Sequence, residues 1–126
     1  MRAISGADTG TVINRNHVEG QMEGGMHMGI GFALMEDTKI DPATGCVLNG
    51  NFADYKILTM LDMPRVEKIF ADTYEPTGPF GAKALGEGVT NPVAAAVTNA
   101  IYNACGVRIF DLPCTPEKIL RGLGTL

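Results

Sequence analysis

The spacing of apolar residues changes several times along the chain, and each change marks an element. Thr9-Gly10-Thr11-Val12-Ile13 is rich in β-branched residues and reads as a short strand end. From residue 17 to about residue 35, Val18, Met22, Met26, Ile30, Ala33 and Leu34 recur at helical spacing. Asn16 is placed to cap this helix, with Glu19 reaching back as in a capping box. Asp41-Pro42-Ala43-Thr44-Gly45 separates two short extended runs, a hairpin signal, and Asn49-Gly50-Asn51 is a second turn or bulge. Residues 52–62 have no clean period and read as loop, whereas 66–73 partly alternate and read as a strand. Residues 76–88 form a long loop rich in glycine and proline, and loops of that length in small domains are commonly functional. Asn91 and Pro92 then open a second helix over 93–105, which Gly106 is suited to end in the left-handed conformation. That helix is alanine-rich and apolar nearly all round, so it is expected to be buried. Val107-Arg108-Ile109-Phe110 reads as a strand, and Thr115 followed by Pro116 opens a last short helix, with Glu117 well placed against its N-terminal dipole.

This order predicts an α+β layered domain with a mixed sheet, two main helices and a short C-terminal helix. The 126 residues suffice for one modest domain, residues 1–126. They are too few to enclose a large cofactor-bearing cleft unaided. No apolar run reaches the ~18 residues of a membrane span, and residues 1–8 lack the apolar core of a secretory signal, so a cytoplasmic protein is expected. The net charge of −4 without a basic block argues against nucleic acid as a partner. Three cysteines without a Cys-x-x-Cys pair give no disulfide framework, and His17 and His27 are not at metal-pair spacing, so no protein-ligated metal is expected. Ser5 is the only serine, which disfavours serine-nucleophile chemistry.

Glycine changes the picture most. There are 16 in the chain, five of them between Gly20 and Gly31 and four between Gly78 and Gly88. Each costs about 1 kcal/mol against alanine inside a helix, so a helix that keeps several is expected to lie against other backbone or a ligand. Gly20 with Gly24, and Gly25 with Gly29, form two small-residue seams. Gln21 lies among them and can both donate and accept hydrogen bonds. In the second glycine cluster Glu87 stands between Gly86 and Gly88, ahead of the second helix. Apolar surroundings there would raise the pKa of its carboxyl and suit it to proton transfer near neutrality.

The segments Gly81-Ala82-Lys83-Ala84-Leu85-Gly86-Glu87-Gly88, Asn91-Pro92-Val93-Ala94-Ala95-Ala96, Gly106-Val107-Arg108 and Leu112-Pro113-Cys114-Thr115-Pro116-Glu117-Lys118-Ile119-Leu120 resemble the C-terminal part of the molybdopterin-binding subunit of the xanthine dehydrogenase and aldehyde oxidoreductase family. Asp8-Thr9-Gly10-Thr11-Val12-Ile13-Asn14 and Gly20-Gln21-Met22-Glu23-Gly24-Gly25 fit an upstream part of the same region. The resemblance implies a molybdenum hydroxylase that oxidises a purine, an N-heterocycle or an aldehyde with oxygen derived from water. It implies Glu87 as general base on a molybdenum-bound hydroxyl, Gln21 as a molybdopterin contact, and backbone at Gly86, Gly88 and Val89 beside the cofactor. It further implies that the cofactor is shared with the remainder of the molybdenum subunit, with iron–sulfur and flavin centres on other chains or domains. The alternative, from a different class, is a non-catalytic remnant that self-associates or serves as a binding module.

Overall fold

The computed structural model describes residues 2–126; Met1 lies outside the described residues. In chain order the elements are β1 (Arg2–Ala7), α1 (Arg15–Leu34), β2 (Arg65–Phe70), α2 (Val93–Cys105) and α3 (Pro116–Gly122). Short 3-10 turns lie at Pro79–Gly81 and Glu87–Val89. The content is α+β, as expected, but the sheet is a single parallel pair rather than a mixed one. The chain divides into two compact units, Met1–Gly29 with Met63–Val93, and Ile30–Asp62 with Ala94–Leu126.

In the first unit β1 and β2 run parallel in the register Arg2↔Arg65 to Ala7↔Phe70. Parallel neighbours need a crossover, and α1 lies within it. The helix begins at Arg15, two residues earlier than the apolar period suggests, because Asn14 rather than Asn16 caps it: the His17 N–H donates to Asn14 Oδ1 at 3.1 Å. Glu19 does not close a capping box; it takes Arg15 as its partner at 2.6 Å, a pair that also lowers its pKa. One edge of α1 meets β2 through charge and π contact. Lys68 Nζ lies 2.5 Å from Glu23 and 3.6 Å from Glu19, and the Arg15 guanidinium stands 5.5 Å from the Phe70 ring centre. Met22, fully buried, and Met26 are among the core residues, the space-filling role expected of these flexible side chains.

One of the two glycine seams is covered. A β-carbon on Gly25 would come within 2.4 Å of Val89 Cγ2, and one on Gly29 within 2.4 Å of Val93 Cβ, so both glycines are required by close packing. Gly20 and Gly24 face open space, with nothing within 4 Å of a β-carbon at either position.

The second unit holds the turn region and the end of the chain. A hairpin forms around 41–45, with Ile40 bridging Val47 and the Asp41 N–H donating to the Cys46 carbonyl at 2.9 Å. Buried Asn49 ties it down, donating to the Asp37 carbonyl at 2.7 Å and accepting from the Lys39 N–H at 2.8 Å. Val107, Ile109 and Cys114 form a core with Leu34, Ile101, Cys105 and Ile119 packed on it. Gly106 ends α2 at φ +76°, and Thr115 caps α3 by accepting from the Lys118 N–H at 3.3 Å.

Three further expectations are corrected. Residues 9–13 are not a strand: Gly10, at φ +58°, breaks the extended run and leaves only one bridge, to Ala82. The strand at the N-terminus is instead β1, whose single β-branched residue, Ile4, gives little local signal. Residues 107–110 alternate buried and exposed but pair with no strand among the described residues. The second helix is not buried. Its less exposed side runs along Val93, Val97, Ile101 and Cys105, one row at a spacing of four, while Ala95, Ala96 and Ala100 are exposed. Alanine is the best helix former and loses little when solvated, so this helix does not require a cover on every side.

The two seams predict opposite responses. Gly20→Ala raises stability by about 0.5–1 kcal/mol, since it removes unfolded-state freedom at no steric cost. Gly29→Val lowers it by about 1–3 kcal/mol through overpacking against Val93. Urea unfolding midpoints compare the two; equal shifts for both variants would refute the packing assignment.

Candidate functional site

Glu87 opens the 3-10 turn that leads into α2. Its carbonyl accepts the Thr90 N–H at 2.9 Å, and the Thr90 carbonyl accepts the Val93 N–H at 3.1 Å, so the turn runs straight into the helix. Gly86 before it adopts φ −143° and ψ −115°. The side chains at this turn divide sharply: Val89 is buried in the Gly25 notch, whereas Gly86, Glu87 and Gly88 are exposed. The apolar enclosure that the sequence leads one to expect around Glu87 is not built by the described residues, because the turn directs its one apolar side chain inward.

Gln21 is exposed on α1, one turn before Gly25 and on the same helical face. Since Gly25 receives Val89, Gln21 lies on the side of α1 where the Glu87 turn packs. A groove of about 320 Å³ in this unit is lined by Thr9, Thr11, Asn14, Gln21, Lys83 and Leu85, among others. The structure thus brings together Gln21 and the start of the loop that carries Glu87, although they are far apart in sequence.

The loop is anchored at its N-terminal side as well. The Lys83 N–H donates to the Thr9 carbonyl at 2.8 Å and the Thr11 N–H to the Gly81 carbonyl at 2.9 Å. A β-carbon on Gly10 would sit 2.2 Å from the Gly81 oxygen, so this crossing requires glycine. Beside it Asp8 accepts from Lys83 Nζ at 2.7 Å, from the Thr73 hydroxyl, and from the Gly10 N–H at 3.1 Å. Lys83 first, then Thr73 and the Gly10 amide, hold the Asp8 carboxyl down at about 2. Its folded-state pKa being depressed, whatever the pair contributes to stability is complete above the ordinary aspartate range and is lost as pH falls through about 2. Sequence spacing gives no sign of this pair. The nearest signal is the appearance of Asp8 and Lys83 in the two segments that carry the family resemblance.

The groove is walled mainly by apolar side chains such as Ile13, Val18 and Leu85, with Asn14, Gln21 and Lys83 among its polar groups. Thr9 is 2% exposed and its hydroxyl oxygen has no hydrogen-bond partner among the described residues, an unmet demand in a residue lining the groove. Gln21 offers an amide, and the open space around Gly20, Gly24, Gly86 and Gly88 leaves backbone free for close approach. A pterin seated there would find a hydrogen-bonding partner in the Gln21 amide. Among the described residues no three His, Cys, Asp or Glu side chains converge to hold a metal ion. None of the helices formed by the described residues is long and apolar enough to cross a membrane.

Comparison with known proteins gives this geometry a context. The molybdopterin cofactor-binding domain family matches residues 1–64. The chain is 46% identical over 118 residues to a putative xanthine dehydrogenase molybdenum-binding subunit of Escherichia coli K12, covering 94% of this chain and 16% of that protein. It is 38% identical over 120 residues to the aldehyde oxidoreductase molybdenum-binding subunit of the same organism, with 94% and 16% covered. Among solved structures, quinoline 2-oxidoreductase from Pseudomonas putida 86 superposes with a TM-score of 0.87 at 35% identity, over 96% of this chain and 16% of that one. The aldehyde oxidoreductase of Desulfovibrio gigas gives 0.86 at 33% identity, over 96% and 13%. The chain therefore spans about one sixth of the length of the curated relatives it matches. Sequence and structure agree that this chain belongs to the molybdopterin-binding domain family of the xanthine dehydrogenases and aldehyde oxidoreductases.

Proposed function

We propose that this chain supplies one wall of the active site of a molybdenum hydroxylase acting on a purine, an N-heterocycle or an aldehyde, with Glu87 as its general base. The observation that carries the reading is the shared groove: Gln21 and the loop leading to Glu87, at Lys83 and Leu85, line one groove in one compact unit. Gln21 and the backbone at Gly86, Gly88 and Val89 would hold the molybdopterin. When bound, that cofactor supplies the two-electron oxidation and the oxygen derived from water.

The residues of this chain then have separate tasks. The Gln21 amide orients the cofactor by hydrogen bonding. The buried Val89 and the notch at Gly25 fix the turn, so that the exposed Glu87 carboxylate points away from the chain's own core. A carboxylate oxygen of Glu87 accepts the proton released as the new carbon–oxygen bond forms, a role worth about 10²–10⁴-fold in rate. The missing enclosure of Glu87 is assigned to the remainder of the molybdenum subunit. Iron–sulfur and flavin centres on other chains or domains carry the electrons onward.

The second reading, a self-associating remnant without catalysis, draws on a different observation. Leu61 is 97% exposed and Phe110 90% exposed, and Phe52 and Met60 are nearly as open. Such apolar surface calls for a cover, which a second copy could provide. Sedimentation at several concentrations separates the readings. A chain that stays monomeric and joins a larger molybdenum subunit supports the enzyme; concentration-dependent self-association with no uptake of cofactor supports the remnant.

Within the holoenzyme carrying this sequence, Glu87→Gln is expected to lower kcat by about 10² or more with molybdenum content unchanged. Turnover within about tenfold of the parent would rule out the general-base role. Gln21→Leu is expected to lower the molybdopterin content of the purified enzyme, measured as the released, oxidised pterin. Full occupancy would remove Gln21 from the cofactor contacts.

A further inference from the structure

The loop that carries Glu87 is anchored on both sides of that residue. At the far end Val89 is locked in the Gly25 notch. At the near end Lys83 is fixed twice, by its backbone N–H to the Thr9 carbonyl at 2.8 Å and by its ammonium to Asp8 at 2.7 Å. Between these anchors lie Ala84, Leu85, Gly86, Glu87 and Gly88. Nothing stands within 4 Å of a β-carbon at Gly86 or Gly88, so packing at those positions does not fix where Glu87 sits. Its placement follows from the anchors.

We propose that Asp8 and Lys83 are a positioning pair that sets the register of the loop and thereby the reach of Glu87; this rests on the reading of Glu87 as the base. Asp8 is suited to the task because its carboxylate joins three separate stretches of chain. It takes the Gly10 amide from the segment after β1, the Thr73 hydroxyl from the segment after β2, and the Lys83 ammonium from the loop itself. Slippage of the loop by one residue would break the ion pair and the Gly10–Ala82 bridge together. The side chains of Asp8 and Lys83 are 44% and 35% exposed, and pairs this open contribute little to global stability. Their expected effect is geometric instead. A displacement of about 1 Å in a reacting group costs up to ~10²-fold in rate. The low pKa of Asp8 keeps its carboxylate ionised near neutrality.

The test uses Lys83→Met, Asp8→Asn and the double variant in the holoenzyme, with Lys83→Arg as the conservative control. Each disruptive variant is expected to lower kcat by about 10–100-fold with KM within about twofold and molybdenum content unchanged. Amide hydrogen exchange at residues 11 and 83, whose N–H groups donate to the Gly81 and Thr9 carbonyls, is expected to accelerate at least about tenfold while the rest of the first unit keeps its protection. The double variant should fall no further than either single one, because the two residues act as a unit, and Lys83→Arg should recover most of kcat. Unchanged exchange at residues 11 and 83, or faster exchange with unchanged kcat, overturns the proposal. The exchange readout is independent of what Glu87 does. If Glu87→Gln leaves turnover intact while the loop still loosens in Lys83→Met, the general-base reading fails; if Glu87→Gln abolishes turnover but the loop stays protected, only the positioning pair is refuted.

Discussion

Two valine side chains, Val89 and Val93, occupy the space that β-carbons on Gly25 and Gly29 would fill. Everything proposed for this chain depends on that contact. It seats the Glu87 turn on α1, one helical turn beyond Gln21, and it sets where α2 begins. Glycine is costly inside a helix, and here its cost is offset by backbone approach that no larger residue permits. The same interaction explains why an exposed acid can have a defined place: the buried neighbour two residues later carries the packing, and the acid is left free for a partner.

The site is half of a site. The chain spans about one sixth of its curated relatives, and its surface has the corresponding character. Glu87 is open, the glycines beside it are open, and large apolar side chains such as Leu61 and Phe110 are uncovered. On the proposed reading of Glu87 as a base, the drier setting that such a group needs is assigned to the remainder of the molybdenum subunit. The groove lined by Gln21, Lys83 and Leu85 is built by residues of the first unit alone.

Local chemistry in the sequence determined most of the helices. The recurrence of Val18, Met22, Met26 and Ile30 marks α1, Gly106 marks the end of α2, and Thr115-Pro116 marks the start of α3, because caps and periods act over a few residues. Of the glycines in α1, Gly25 and Gly29 are justified by close packing against Val89 and Val93, whereas Gly20 and Gly24 face open space. Competition between equivalent signals was not legible. Asn14 and Asn16 are both able caps, and α1 uses the former. Nor could the alanine-rich stretch reveal its exposure, because alanine forms helix equally well wet or dry.

Tertiary structure alone decided which strands pair, which glycine seam is covered and what holds the Glu87 loop. β1 has little β propensity of its own and exists through its ladder with β2, a partner more than sixty residues away by the register Arg2↔Arg65. Asp8 and Lys83 meet across 75 residues, a distance over which no sequence period carries information. These features are long-range, and a long-range contact is specified by the whole chain's packing rather than by any segment within it.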